Sequence, residues 1–441
     1  MAAAAREGRT RRPPLRHRLV RRIGSRPSRQ RRGRRPMYLL AQGTALLGVS
    51  LAIVVGSGGS LLGRVLRVAL VLFLATYATL ADRWAEPWLR VAIALSGGVA
   101  GVVLGYGIGV EHAVAAGLTL RVAAGLLALL VGLCMMATGT ATALRMLPGR
   151  YKVLVLLCVP FSIQFVLAPM VGAVAAANPM PGQLGDITPG DRGLVYDDVE
   201  LRASGAVVRG WYIPSRNSAA VILVHDSGST RSSMLSRAVA LARHGYGVLL
   251  FDTRGNGLST GEPMELGWST DLDVRAAVSY VAERYDVSPS KIAVVGVGRG
   301  GEAALTAAAS DERIAGVVVE GIGRRTPVDT LTLPFTPRGW LQAGVESMTY
   351  VSAAVLRQTF PPRSLRSAIK AVNPRPVLLI ADEDSVLTSR VYGRASPSNV
   401  RVWELPTTPR GEAYTLHSAD WEWYVTGFLA RSLNPKWVPA Q

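Results

Sequence analysis

Only two cysteines, Cys134 and Cys158, occur in 441 residues, and both lie inside apolar runs. This excludes a disulfide framework and leaves both as small hydrophobes. Histidine is also scarce, at five residues. No His or Cys group has the spacing of a metal site, and the glycine run Gly296-Val297-Gly298-Arg299-Gly300-Gly301 misses that of a dinucleotide or Walker loop. Neither metal nor other cofactor is expected. Acidic residues number 30 against 49 basic ones, giving a net charge of +19. That balance would suit nucleic acid if it were spread over a face.

It is not spread. Residues 1–36 hold fourteen Arg against the single Glu7, which accounts for +13 of the total. With Pro13-Pro14 and few long apolar residues, this tail cannot bury enough surface to offset its ordering entropy. It is expected to be disordered, and to act as an orientation determinant held at anionic lipid rather than as a nucleic-acid arm.

What the sequence has in abundance is apolar residues, 49% of the chain, with a mean hydropathy of +0.25. Five apolar stretches fill residues 37–177: Met37 to Val55, Leu61 to Leu80, Val91 to Val110, Val122 to Leu144 and Val153 to Ala176. Each approaches the ~20 residues a helix needs to cross the hydrocarbon core. A cleaved signal peptide would show one shorter run and nothing after it. The spacing therefore predicts an all-α transmembrane domain of about five helices in a multi-pass cell-membrane protein, with the lipid bilayer as its partner.

Basic residues flanking spans stay on the cytoplasmic side. The tail, the loop Asp82 to Arg90 and the loop Arg145 to Lys152 are then inside, with Trp84, Trp88 and Tyr151 at headgroup level. Five spans place the C-terminal half outside the cytoplasm. Arg64 and Arg67 must snorkel for the second stretch to insert; if that stretch only lies on the surface, the C-terminal half is cytoplasmic. Gly97, Gly101, Gly105 and Gly109 recur at every fourth position and point to close helix packing.

Residues 178–191 read as a linker opened by Asn178-Pro179-Met180-Pro181. From residue 192 to 441 short β-rich runs alternate with helical ones, which implies an α/β domain whose mostly parallel sheet carries helices on both faces. The strands expected are Ala219 to Val224, Gly247 to Phe251, Ile292 to Val297, Ile314 to Val319, Pro376 to Ala381 and Val400 to Leu405. The intervening helices are expected near 233–244, 271–284 and 299–309, with a closing one at 420–432. The less regular stretch 322–373 is a possible lid.

Three motifs in this order carry a resemblance: Val224-His225-Asp226-Ser227-Gly228, Asp252-Thr253-Arg254-Gly255-Asn256-Gly257-Leu258-Ser259, and Gly296-Val297-Gly298-Arg299-Gly300 between a strand and a helix. Together they resemble the α/β-hydrolase superfamily, and Gly300 to Glu302 with Val319 to Gly321 resemble membrane-linked hydrolases of high-GC bacteria. The resemblance implies an α/β-hydrolase fold with its nucleophile elbow at Gly298, where glycine stands in the serine slot and supplies no nucleophile. It further implies an acid at Asp384 and a histidine late in the chain. His417 is the histidine present, while Arg410 occupies the slot where relatives carry it. Asp226, Ser227 and Arg299 would form the oxyanion region.

Two readings follow. One is a non-catalytic pseudo-hydrolase that binds a small acyl-type ligand or a protein partner. The alternative is an active esterase, thioesterase or peptidase using Ser227 or Ser229 as an unconventional nucleophile. The oligomeric state is not legible in the sequence.

Overall fold

The computed structural model describes residues 34–56, 61–81, 85–110, 112–113, 117–263 and 265–433. The basic tail through residue 33, and Asp82 and Trp84 of the first charged loop, lie outside the described residues.

Five apolar helices come first: α1 (Arg34–Val55), α2 (Leu61–Ala81), α3 (Pro87–Val110), α4 (Leu120–Met146) and α5 (Gly149–Ala177). Among the described residues four of them, α2 to α5, are long and apolar enough to cross a membrane; the apolar part of α1, Leu40–Val55, is shorter. Five full-length spans were expected, so the expectation holds by length for four. The glycine stripe of α3 faces α4 for a steric reason. A Cβ at Gly101 or Gly105 would run into the backbone of Ala128, Gly125 or Leu129, so glycine there permits a close crossing. The last turns of α3 and the middle of α5, Ile163–Leu167, are wound as π-helix.

The remainder is built on one eight-stranded sheet: β1 (Asp197–Ala203), β2 (Ala206–Ile213), β3 (Ala220–Val224), β4 (Gly247–Phe251), β5 (Ile292–Val297), β6 (Ile314–Glu320), β7 (Val377–Ala381) and β8 (Val400–Glu404). The order is β1-β2-β4-β3-β5-β6-β7-β8. The strands from β4 to β8 pair in parallel, and the β1–β2 hairpin joins antiparallel at one edge.

Central strands such as Ala220–Val224 are buried at every position, which is why they read as continuous apolar runs. Helices α6 (Leu235–Arg243) and α12 (Ser418–Ser432) cover one face. On the other face lie α7 (Thr270–Ala282), α8 (Arg299–Ala308), α10 (Leu365–Val372) and α11 (Val386–Ala395). The segment 322–373 therefore divides. Its last part, with Leu365, Ala368, Ile369 and Val372 buried, is core rather than lid, whereas α9 (Pro337–Arg357) lies outside the core and packs along α5.

The linker is fixed to the sheet domain. Gly182 N–H donates to Asn256 Oδ1 at 2.9 Å, Gly182 O accepts from Gly257 N–H at 2.9 Å, and Glu265 N–H reaches Ala176 O at the end of α5 at 3.0 Å.

Candidate active site

β5 ends at Val297 and α8 begins at Arg299, so one residue must reverse the chain between them. Gly298 does so at φ 52° and ψ −120°, a region that L side chains enter only with strain. Its N–H is tied to Glu320 O at the end of β6 at 2.8 Å. The flanking glycines have a different job. A Cβ at Gly300 would overlap the carbonyls of Val224 and His225, and one at Gly296 would overlap the backbone of Gly301. Strand and helix thus meet through bare backbone, which holds the turn at the C-terminal edge of the sheet.

The space above Gly298 is occupied. A Cβ built there would overlap the carboxylate of Asp226. Oδ1 of that carboxylate accepts Ser227 N–H at 2.8 Å and Arg299 N–H at 2.7 Å. These amides come from the loop after β3 and from the first residue of α8, and they converge as a pair suited to an oxygen anion. Here the oxygen belongs to the chain itself. Arg410, brought in by the loop after β8, sets a guanidinium nitrogen 3.5 Å from the other carboxylate oxygen.

Both ring nitrogens of His225 are engaged. Its Nε2 accepts Thr253 N–H at 3.0 Å and its Nδ1 faces Asp226 O at 2.7 Å, so the neutral ring splices two loops. Burial holds its pKa below the ordinary histidine value. Ser227 Oγ donates to Glu265 Oε2 at 2.8 Å, and the backbone N–H of Ser229 reaches Asp226 O at 3.3 Å.

Among the described residues, neither His417 nor Asp384 makes a hydrogen bond or ion pair with the elbow residues. His417 shares a 2.8 Å hydrogen bond with Thr408 and begins α12. Asp384 is exposed and, among the described residues, has no hydrogen-bond or ion-pair partner. The buried acid at the end of β7 is Asp382 instead. Its Oδ1 accepts Ser385 N–H at 3.1 Å, and it adjoins Gly321 next to the Arg410 stem.

Beneath the elbow lies a layer of buried charge whose pairing the sequence pattern did not show, although Arg299, Glu302, Glu320 and Arg254 lie in its motifs. Arg299 NH1 is 2.9 Å from the fully buried Glu302, which also accepts Gly323 N–H at 3.0 Å. Burial works against the Arg299 charge, but Glu302, with Tyr350 and Asp226 acting in the same direction, raises the guanidinium pKa overall. Under β6, Glu320 accepts Arg237 through two bonds of 3.0 and 2.7 Å and Trp421 Nε1–H at 2.6 Å. Arg254 of the second motif is bidentate to the buried Asp273 at 2.7 to 3.2 Å, so that motif is a structural clasp. Beside the elbow opens a cavity of about 250 Å³ whose walls include Ser227, Thr253, Asn256, Thr270, Arg299 and Arg357. Among the described residues no group of three or more His, Cys, Asp or Glu could hold a metal ion.

Residues 221–437 match the sequence model of the alpha/beta hydrolase family. A 133-residue stretch is 33% identical to an uncharacterized protein of Mycobacterium tuberculosis, covering 30% of this chain and 45% of that protein. A polyketide transferase of Stachybotrys chlorohalonatus is 35% identical over 133 residues, 28% of this chain and 44% of the relative. The chain thus spans less than half the length of these two relatives. A solved esterase of Pyrococcus furiosus superposes with a TM-score of 0.47 at 22% identity, over 58% of this chain and 99% of the esterase.

Proposed function

Because residues 221–437 belong to the alpha/beta hydrolase family, whose chemistry needs a nucleophile on the elbow, we propose that this chain is a membrane-anchored member that has given up ester and amide hydrolysis and works by binding a ligand or a protein partner. One observation carries the reading: the Asp226 carboxylate fills the space over Gly298 and takes both the Ser227 and Arg299 amides. Three changes act together here. The nucleophile slot holds Gly298, the oxyanion site holds a resident anion, and the histidine slot holds Arg410, which neutralises that anion.

A substrate carbonyl has no free pair of amides to polarise it, and the largest single catalytic effect in this chemistry is lost with them. The rival nucleophile Ser227 has a hydrogen-bonded carboxylate in Glu265 at 2.8 Å, which gives the active reading its one support. It meets the same difficulty, since its own N–H is committed to Asp226. The polar cavity beside the elbow is the natural place for a ligand. Its serine, threonine, asparagine and arginine walls suit a polar headgroup better than an acyl chain.

Fluorophosphonate labelling of the full chain followed by peptide mapping tests this reading. No modified serine is expected; a label on Ser227 or Ser229 overturns it.

For topology, α1 is counted as a span. Its apolar part, Leu40–Val55, is shorter than the other four, and the packing of Leu47 and Leu51 on Ala128 and Met135 of α4 supports counting it with them. Five spans with a cytoplasmic N-terminus put the hydrolase-like domain outside the cytoplasm. Alkaline phosphatase fused after Gln441 is then active, and an inactive fusion reverses the assignment.

A further inference from the structure

Apart from Arg357 in the cavity wall, helix α9, Pro337–Arg357, has no role in the site as read so far, and its polarity is inverted. Glu346, Tyr350 and Arg357 turn inward, while Arg338 and Gln342 stay exposed along one edge. Glu346 accepts two bonds from Arg324 at 2.8 and 2.9 Å, Gln342 donates to Glu346 at 2.8 Å, and Arg357 pairs with Glu262 at 3.0 Å. The Tyr350 hydroxyl donates to Arg324 O at 2.7 Å.

The outward side is apolar. At roughly 100° per residue, positions 340, 341, 344, 348, 351 and 355 share one face. Trp340 is 60% exposed and Val355 71%, and Leu341, Met348 and Val351 are exposed beside them. The flanking segments add Phe335 at 81% and Phe360 at 93%. A helix bordering water carries the opposite arrangement, and a patch of this kind marks an interaction surface.

What covers it is indicated by its neighbour. α9 lies along α5: a Cβ at Gly344 would touch the Phe165 ring at 3.4 Å, and one at Gly172 would touch Thr349 at 3.4 Å. Ala173 and Ala176 of α5 pack with Tyr350 and Ala353 of α9. The exposed apolar side chains of α5, among them Phe161, Ile163 and Val166, therefore continue onto the outward face of α9 as one surface.

We propose that α9 and its flanks insert this face into the bilayer beside the C-terminal half of α5, with the Arg357 end of the helix, which reaches Ala177 O at 3.4 Å, at the boundary between headgroups and acyl chains. The hydrolase-like domain is thereby seated on the membrane rather than merely tethered to it. The cavity beside the elbow, whose wall includes Arg357 and Thr359 at the end of the same helix, opens next to that boundary. The proposal rests on the reading of α2 to α5 as membrane spans.

The test uses the full chain in lipid nanodiscs, carrying an environment-sensitive fluorophore on one cysteine at a time, with and without doxyl-labelled lipid. Four proteins are compared: native Cys134 alone, on the exposed side of α4, and Trp340→Cys, Val355→Cys and Tyr285→Cys in a background of Cys134→Ala and Cys158→Ala. Tyr285 is 92% exposed and lies on the loop leading into β5, at the opposite edge of the sheet from Gly298. The expected result is blue-shifted emission and loss of most intensity to the doxyl lipid at positions 340 and 355, as at Cys134, with neither effect at 285. Quenching at Cys134 but not at 340 and 355 overturns the insertion of α9 and leaves the spans standing. Absence of quenching at Cys134 overturns the membrane reading itself. A blue shift at 340 and 355 without quenching points to a second copy or a protein partner as the cover, and also overturns the proposal.

Discussion

The layer below the elbow and the surface above it are built on different physical terms. Below, the charges are buried and fully engaged. Glu302 holds Arg299 at 2.9 Å, and Glu320 binds Arg237 twice and Trp421 once. Above, Asp226 and Arg410 stand 3.5 Å apart with side chains 30% and 42% exposed. A buried pair cannot lose one member without stranding the other charge, whereas a half-exposed pair can be exchanged at little expense. On the proposed non-catalytic reading, the difference explains how a hydrolase frame can persist while its reacting atoms are replaced. The frame is locked by its own desolvated charges, and the reacting positions are not part of that lock.

The sharpest way to break this contrast is to cut the lower layer. Glu320→Ala leaves Arg237 and the Trp421 indole N–H without their acceptor and should cost about 3–5 kcal/mol. Urea unfolding of the full chain in detergent, followed by tryptophan fluorescence, measures it. A loss below about 1 kcal/mol would show that the buried pairs do not hold the frame.

A smaller effect comes from the upper surface. Gly298→Ser forces a side chain into the Asp226 carboxylate and should destabilise by about 1–3 kcal/mol. Adding Asp226→Gly should recover most of that loss, because it removes the obstacle. Lack of recovery would mean that backbone strain at 298, not occupancy by Asp226, sets the penalty.

The loop splice at His225 gives a milder and pH-dependent signature. Burial lowers the His225 pKa, so the folded ring stays neutral below about pH 6.5, where an unfolded histidine takes up a proton. Its stabilising contribution is full above that pH and declines as the pH falls toward the folded pKa. His225→Gln should flatten thermal stability between about pH 7 and 5, removing a slope of up to about 1.4 kcal/mol per pH unit. An unchanged slope would assign the acid sensitivity to other groups.

Much of the fold was legible in the sequence because buried parallel strands are continuous apolar runs. Gly247–Phe251 and Ile292–Val297 fall where the pattern put them, and Ala220–Val224 within one residue. The β1–β2 hairpin was missed although its signal is present. Val199 and Leu201 alternate with Glu200 and Arg202 ahead of Ser204-Gly205, but an edge hairpin half open to solvent is less apolar than the core strands. Helix α9 was hidden inside a supposed lid because its apolar face points away from the domain.

At the site, the departures at Gly298, Asp226 and Arg410 were each readable as single changes. That the Asp226 carboxylate takes the space a side chain at 298 would need was not, because it depends on where a loop side chain points. The pairing of glycine on one motif with a carboxylate on the facing motif is the signal that could have suggested it. Asp382 and Glu265 escaped for the same reason, since sequence spacing does not report which of several neighbouring acids turns inward.

The most direct test of the central claim, that a resident carboxylate closes the site, is p-nitrophenyl ester turnover by Gly298→Ser/Arg410→His measured with and without Asp226→Gly. Emptying the amide pair formed by Ser227 and Arg299 should raise turnover by about 10²-fold or more. Equal turnover by the two variants would contradict it, because Asp226 would then obstruct nothing that the reaction needs.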